Sequence, residues 1–102
     1  MNHCSFFGKI ISRKLTSESD TSKVELKILV QKQRRSRSGV SVSDNASLMF
    51  EAWDTAADTI SHNSTIGDYL LIPNSTVKVD RDRTYFRINE FKIIKNQSLL
   101  EN

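Results

Sequence analysis

The sequence has little of what secreted, membrane-spanning and disulfide-stabilised proteins need. Its 102 residues include one cysteine, one proline and three glycines. A single cysteine, Cys4, cannot form an internal disulfide, which suits a reducing compartment. No run of 18 apolar residues is present to cross a bilayer, and the first residues lack the layout of a secretion signal. We therefore expect a cytoplasmic protein with no membrane partner.

Constellations for catalysis and metal binding are also sparse. The histidines and the cysteine number three in all (His3, Cys4 and His62), which is too few for a zinc site without further ligands. The glycines are isolated from one another, so no glycine-rich loop is available to hold a phosphate. A nucleophile, a base and an orienting group cannot be assembled from these residues. We expect a binding protein, not an enzyme, with no cofactor and no metal.

Charge is abundant but unevenly distributed along the chain. The net charge is +3 at pH 7. Residues 1–40 carry nine basic and three acidic side chains, residues 41–77 carry five acidic and no basic ones, and residues 78–102 carry six basic and four acidic ones. This segregation predicts one basic face, suited to a polyanion such as nucleic acid, although solubility alone could also explain it.

Apolar and polar residues alternate with period two in several segments, as in half-buried strands. Gly8, inside the first of these segments, indicates a bulge or a close backbone approach. Pro73 should interrupt regular pairing in the fourth. The predicted strands are residues 6–11, 24–30, 48–53, 69–72 (resuming at 76–79) and 84–94.

The segments between the predicted strands are polar, apart from one short helix. Residues 15–22 and 32–45 are predicted as exposed loops, and residues 80–82 as a hairpin turn. A helix is predicted over residues 56–62, capped by Asp54 or Thr55. Five strands with one short helix between the third and the fourth predict an all-β oligonucleotide/oligosaccharide-binding (OB) barrel over residues 1–95, followed by a flexible end over residues 96–102.

Several segments, taken in their order along the chain, resemble one known family, the bacterial-type single-stranded-DNA-binding proteins. Residues 50–60, Phe-Glu-Ala-Trp-Asp-Thr-Ala-Ala-Asp-Thr-Ile, are similar to the end of that family's third strand and the helix after it. Residues 7–10, 24–35 and 83–91 resemble its first, second and closing strands, and Gly67-Asp68 resembles its turn into the fourth. The resemblance covers about residues 5–95 and implies a protein that assembles as a dimer or a tetramer.

The chain also departs from the family pattern. Pro73-Asn74 stands where the family usually has glycine, and the hairpin after it is short. The family's acidic C-terminal tail, which recruits partner proteins, has no counterpart in residues 96–102. We therefore expect a diverged or tail-less member that binds single-stranded DNA in replication, repair or recombination, associated with the nucleoid. Two alternatives stay open: an accessory scaffold similar to the primosomal replication protein, acting mainly through replication proteins, and an RNA-binding module.

Binding a single strand without sequence preference requires cations for the phosphates and aromatic rings for the bases. Trp53 resembles the family's stacking aromatic, although it could instead pack under the helix or in a dimer contact. Arginines suit phosphate because the guanidinium donates two parallel hydrogen bonds. The candidate DNA-binding residues are Lys9, Arg13, Lys27, Lys32, Arg34, Arg35, Arg37, Trp53, Lys78, Tyr85 and Arg87.

Overall fold

Five strands and one helix make up the structure, a computed structural model that describes residues 3–35 and 41–96. At residues 18, 31–35 and 41–44 it describes the backbone alone. The elements are β1 (His3–Glu18), β2 (Thr21–Arg35), β3 (Ser41–Trp53), α1 (Asp54–Asn63), β4 (Tyr69–Asp80) and β5 (Arg83–Ile94). The predicted element order, with the helix between the third and fourth strands, is confirmed.

The strands close into a barrel in the order β1-β2-β3-β5-β4. Sequential hairpins pair antiparallel, and β1 pairs antiparallel with β4 across the barrel. The closing contact is parallel and short, joining Phe50 to Phe86 and Glu51 to Arg87. This is the topology of the predicted OB barrel, and it places the outer faces of β2, β3, β5 and β4 side by side.

Period-two alternation defines the barrel interior, as the sequence predicts. Val24, Leu26 and Ile28 of β2 are fully buried, and so are Phe50 and Ala52 of β3, to within one per cent for Phe50. Phe6 and Phe86 pack against the ring of Phe50, with Phe6 meeting both rings edge-on at centroid distances of 5.2 and 4.8 Å. Ala57 and Ile60 of α1 join the same core. Residues of opposite parity, Met49, Glu51 and Trp53 among them, are therefore directed to the outside.

Both predicted long loops are wrong in their extent. β1 and β2 continue to a two-residue turn, Ser19-Asp20, in which both residues have positive φ, the conformation that tight hairpins favour. β2 and β3 stay paired as far as Arg35 opposite Ser41. β2 loses β1 as a partner after Val30, so the rest of that hairpin leaves the barrel, where nothing requires apolar alternation. Its polar residues thus concealed the strands.

The predicted helix cap is also wrong. α1 follows β3 without a linker, so its N-cap is Trp53, which makes no side-chain capping hydrogen bond. Asp54 lies instead in the first turn of the helix. Two other predictions are confirmed. The pairing of β4 with β5 shifts register on either side of Asn74, next to Pro73, and residues 81–82 form the hairpin turn.

The glycine in β1 marks a close backbone approach. A Cβ added at Gly8 would lie 2.5 Å from the carbonyl oxygen of Leu29 and 2.6 Å from a side-chain methyl of Ile28. Real Cβ atoms essentially never approach other atoms so closely, so β1 and β2 could not meet here with a larger residue. The irregularity in pairing lies two residues further on, between Ile10 and Ser12.

Candidate nucleic-acid interface

Trp53 lies on the outer face of the barrel at the end of β3, half-buried and held in place by polar contacts. Its indole Nε1 donates a hydrogen bond to the carboxylate of Glu51 at 3.0 Å. The ammonium of Lys23, directly opposite in β2, lies 5.2 Å from the ring centroid. The guanidinium of Arg87 from β5 lies 5.5 Å from it. Two cations from different strands therefore flank one indole whose edge is fixed.

Glu51 links these groups from beneath. Its side chain is almost fully buried, which would be costly for an unpaired carboxylate. Arg87 donates to Glu51 Oε2 through Nε at 3.0 Å and through Nη2 at 2.9 Å. Lys23 Nζ lies 3.9 Å from the other oxygen, Oε1. An acidic residue next to Trp53 would make a basic surface less attractive to phosphate, but here two cations neutralise Glu51.

A second aromatic residue lies on the same outer face in β5. Tyr85 alternates with Arg87, and both are directed away from the interior that Phe86 and Ile88 occupy. Lys78 of β4 is the direct cross-strand partner of Tyr85. The guanidinium of Arg83 lies 4.7 Å from the centroid of the Tyr85 ring. One cation therefore lies over this second ring, and another basic residue is its neighbour across the strands.

Of the candidate DNA-binding residues, five are brought onto this continuous surface. β2 contributes Lys27, which is exposed, lies opposite Met49 and has the same parity as Lys23. We define the aromatic face as the outer surface formed by residues 23–27 of β2, 49–53 of β3, 85–87 of β5 and 76–78 of β4. Its predicted members are Lys27, Trp53, Lys78, Tyr85 and Arg87.

Lys9 and Arg13 lie away from the aromatic face. Lys9 lies between Leu29 and Tyr69 on the far side of β1, with its ammonium 5.7 Å from the centroid of the Tyr69 ring. Arg13 Nη1 donates to the carbonyl oxygens of Ser61 and Ser64 at 2.9 and 2.6 Å. Those are carbonyls at the end of α1, where a cation is favourable. Arg13 therefore fastens the helix to β1.

Three of the remaining candidates have their backbones in β2, beyond its pairing with β1. The backbones of Lys32, Arg34 and Arg35 lie in β2, paired with Asp44, Val42 and Ser41. Their side chains, and the whole of Arg37, lie outside the described residues. We refer to residues 31–45 as the arm. Because β2 is continuous, the arm extends the strand that carries Lys23 and Lys27.

A separate buried carboxylate fastens the turn that precedes β4. Asp68 is 1% exposed and accepts hydrogen bonds from Lys95 Nζ at 2.9 Å and from the backbone N–H groups of Thr65 and Asn96, both at 3.0 Å. Burial by itself would raise the pKa of Asp68, but these donors and the charge of Lys95 outweigh it and lower the pKa. The cluster joins the end of β5 to the start of β4.

Reasoning from the sequence missed two participants in the site. Lys23 was not a candidate, because its position opposite Trp53 follows from the register of β2 and β3, which the sequence pattern does not give. Glu51 was not a candidate either, because its cationic partners come from other strands. Within the described residues, no group of three His, Cys, Asp or Glu side chains is placed to hold a metal ion. No described helix is long and apolar enough to cross a membrane.

Solved structures with this fold are numerous, whereas neither a protein-family model nor a curated protein matches the chain. The protein PriB from Ralstonia solanacearum superposes with a TM-score of 0.75 at 11% identity, over 90% of this chain and 96% of that one. The small single-stranded DNA-binding protein from Streptomyces coelicolor gives 0.65 at 16% identity, over 97% and 99%. The single-stranded DNA binding protein from Thermus aquaticus gives 0.77 at 9% identity, over 96% of this chain but 52% of that one.

At these identities the likeness shows the fold. The resemblance inferred from the sequence is thus confirmed as a shared OB barrel. The three proteins are named for binding DNA or as PriB, and none of these names is that of an enzyme.

Proposed function

We propose that this chain is a diverged member of the bacterial-type single-stranded-DNA-binding family and binds single-stranded DNA without strong sequence preference. Its role would lie in replication, repair or recombination, in the cytoplasm at the nucleoid. The carrying observation is the environment of Trp53, an indole fixed by Glu51 and flanked by Lys23 and Arg87 on an outer sheet face. The names of the solved proteins with this fold support the same function.

The aromatic face supplies what a sequence-tolerant binder needs. Every base has a π-face, so stacking on Trp53 and Tyr85 would tolerate any sequence, at about 1–3 kcal/mol per base. Lys78 is the cross-strand partner of Tyr85, and Lys27 lies on the same face opposite Met49. The arm adds Lys32, Arg34, Arg35 and Arg37 from the sequence. If about three to five phosphates are neutralised, the slope of log K against log salt should be roughly −2 to −3.5.

The first test uses the fact that Trp53 is the only tryptophan. Titrating oligo-dT into the protein at about 20, 100 and 300 mM NaCl should quench Trp53 fluorescence to saturation, because a stacked base contacts the indole directly. Binding should weaken as salt rises, because neutralised phosphates release counterions. A parallel titration with oligo-rU compares DNA with RNA, and tighter binding of oligo-rU would favour the RNA-binding alternative.

Variants at position 53 locate the stack. Trp53→Ala, followed by the anisotropy of labelled oligo-dT, should weaken binding about 5- to 150-fold, the equivalent of one lost base stack. Trp53→Phe keeps a ring and should recover part of that loss. Absent quenching with intact anisotropy would contradict stacking at Trp53 alone. Flat anisotropy at the lowest salt would contradict strand binding as a whole.

We further propose that the chain assembles with copies of itself through the other side of the barrel. Phe7 and Leu71 are cross-strand partners in β1 and β4, and both are exposed, at 46% and 38%. Tyr69 stacks on Phe7 at a centroid distance of 5.4 Å and pairs across the strands with Ile94, which is also exposed. Contiguous apolar surface of this kind is typical of an interface.

Sedimentation velocity across protein concentrations tests this assembly. We expect the wild-type chain to sediment as a dimer or tetramer, and Leu71→Glu as a monomer, because a charge would be buried at the contact. Val79→Glu is the matched control, since Val79 is 72% exposed near the tip of the β4–β5 hairpin. Equal dissociation of both variants, or a wild-type monomer at high concentration, would contradict this interface.

A further inference from the structure

Glu51 is a buried acidic residue within a surface that is proposed to bind a polyanion, and its presence there requires a physical explanation. Glu51 is 3% exposed and lies on the aromatic face, beside the ring on which a base would stack. A phosphate approaching this position would be repelled by an uncompensated carboxylate. A stabilising role in the core does not explain it either, since the interior side of β3 is formed by Phe50 and Ala52.

The contacts of Glu51 account for its position. Oε2 accepts from Trp53 Nε1 and from two nitrogens of Arg87, all between 2.9 and 3.0 Å. The same two cations that flank the indole, Lys23 and Arg87, are the cations that surround this carboxylate. Arg87 therefore has its Nε and one terminal nitrogen occupied by Glu51 before any DNA arrives. Lys23 lies farther off, and its side chain is 17% exposed.

We propose that Glu51 is a positioning residue of the DNA site, which orients the Trp53 indole and keeps Arg87 and Lys23 from binding phosphate. The proposal rests on the proposed function. In consequence, base stacking and phosphate binding are carried out by different residues. The Trp53 platform contributes stacking with little salt dependence, and the phosphates are neutralised by cations elsewhere, such as Lys27, Lys78 and the arm.

Glu51→Gln tests this division because it preserves size and a carbonyl oxygen for the indole N–H while removing the charge. Released from the carboxylate, Arg87 becomes available to phosphates, whereas Lys23 keeps Glu25 as an acidic partner at 3.8 Å. The slope of log K against log salt should then steepen by about 0.7 for this one released cation, and binding at 20 mM NaCl should tighten. A variant that had merely lost structural support would bind more weakly at every salt concentration.

Glu25→Gln is the matched control. Glu25 is the direct cross-strand partner of Glu51 and lies 3.8 Å from Lys23, so its loss changes the net charge by the same amount. None of its described contacts reaches Trp53 or Arg87. We expect its slope to stay within about 0.3 of the wild-type value, less than half of the change for one released cation.

A second measurement needs no DNA. Iodide collects where the potential is positive, whereas acrylamide is neutral, so the ratio of their quenching constants for Trp53 reports the local charge. An uncompensated Arg87, 5.5 Å from the ring centroid, should raise this ratio at least about twofold in Glu51→Gln at low salt. Glu25→Gln should leave it near the wild-type value. Acrylamide corrects for any change in exposure of the indole.

Arg87→Gln covers the case in which Glu51→Gln does not fold. Arg87 is partly exposed, and an amide can still donate to Glu51. If Arg87 binds no phosphate in the wild type, the salt slope should be unchanged. A slope shallower by about 0.7 would show a phosphate on Arg87 and overturn the proposal.

The outcomes separate this proposal from the proposed function. If the wild type binds oligo-dT and Glu51→Gln has the salt slope of Glu25→Gln, the role of Glu51 is refuted and strand binding stands. If the wild type does not bind oligo-dT at low salt, strand binding is refuted, and the quenching ratio decides about Glu51. Equal ratios in the two glutamine variants would then refute the neutralisation of Arg87 and Lys23, and a higher ratio in Glu51→Gln would support it.

Discussion

Asp68→Asn is expected to lower the free energy of unfolding by about 2–3 kcal/mol at pH 7, the scale for a buried acceptor that loses its charged partner. Both carboxylate oxygens of Asp68 accept hydrogen bonds, from Lys95 and the Thr65 N–H on one side and from the Asn96 N–H on the other. An asparagine offers one oxygen and directs an N–H₂ group at a donor. The exposure of Lys95, 52% for its side chain, limits the loss.

The same substitution predicts a pH dependence whose sign follows from the lowered pKa of Asp68. Burial by itself opposes this lowering, but the hydrogen bonds from Lys95 and the backbone outweigh it, so the folded state favours the carboxylate. The stabilisation is therefore fully present above the unfolded-state pKa, near 3.8, and is lost as the pH falls through the lower folded-state pKa. The stability difference between wild type and Asp68→Asn should be constant from pH 5 to 8 and shrink below about pH 4.

Urea unfolding of both proteins at several pH values measures this difference, because the titration of all other groups cancels between them. Asp58→Asn is the control, since Asp58 is an exposed residue of α1. It should unfold near the wild-type midpoint throughout. A wild-type to Asp68→Asn difference as large at pH 3 as at pH 7 would show that the charge of Asp68 contributes nothing. A folded Asp68→Asn protein should still bind oligo-dT, because the cluster lies outside the aromatic face.

The fold could be predicted from the sequence to the extent that burial leaves a pattern. Period-two alternation in residues 24–30 and 48–53 located β2 and β3, because both strands line the interior there. The same signal fails in the arm, where β2 has β3 as its partner and no longer has β1. Strands without a buried face carry no apolar alternation, so a polar sequence conceals them. Strand ends were therefore the least predictable part of the fold.

The sequence indicates which side chains of the candidate site face outward, but not which of them become neighbours. Alternation in residues 48–53 gives Trp53 the parity opposite to that of the core residues Phe50 and Ala52. The grouping of Trp53 with Lys23 and Arg87 depends on strand register and on the parallel closure between β3 and β5, which no local pattern encodes. For the same reason the sequence could not show that the Arg13 guanidinium donates to carbonyl oxygens at the end of α1.

The arm should supply much of the affinity for phosphate. Arg34→Glu/Arg35→Glu/Arg37→Glu removes three cations that the sequence places together and adds three negative charges. We expect oligo-dT binding at 20 mM NaCl to weaken at least about a hundredfold, and the salt slope to become shallower by about 2, from 0.7 for each lost contact. Anisotropy of labelled oligo-dT across the salt range measures both quantities.

A charge-matched control separates local contacts from the overall field. Lys14→Glu/Arg81→Glu/Lys92→Glu changes the net charge equally at exposed residues outside the aromatic face. Both triple variants must sediment as the wild type does, because Lys92 pairs with Leu71 on the apolar side. If both triple variants show the same loss of affinity for oligo-dT and the same decrease in salt slope, DNA is attracted by the net charge and not by the arm. If the arm variant binds like the wild type, the phosphates lie on the aromatic face alone.

The arm variant also decides between strand binding and the accessory scaffold. A scaffold acts through a protein contact that does not require phosphate-binding arginines. If the wild type binds negligible DNA at low salt, and both it and the arm variant capture the same purified replication protein, the scaffold replaces strand binding as the function. If instead the arm variant loses DNA while its Trp53 stays in a native environment by fluorescence, the loss belongs to the phosphate contacts. Stacking at Trp53 and neutralisation at the arm are then two separable parts of one DNA site.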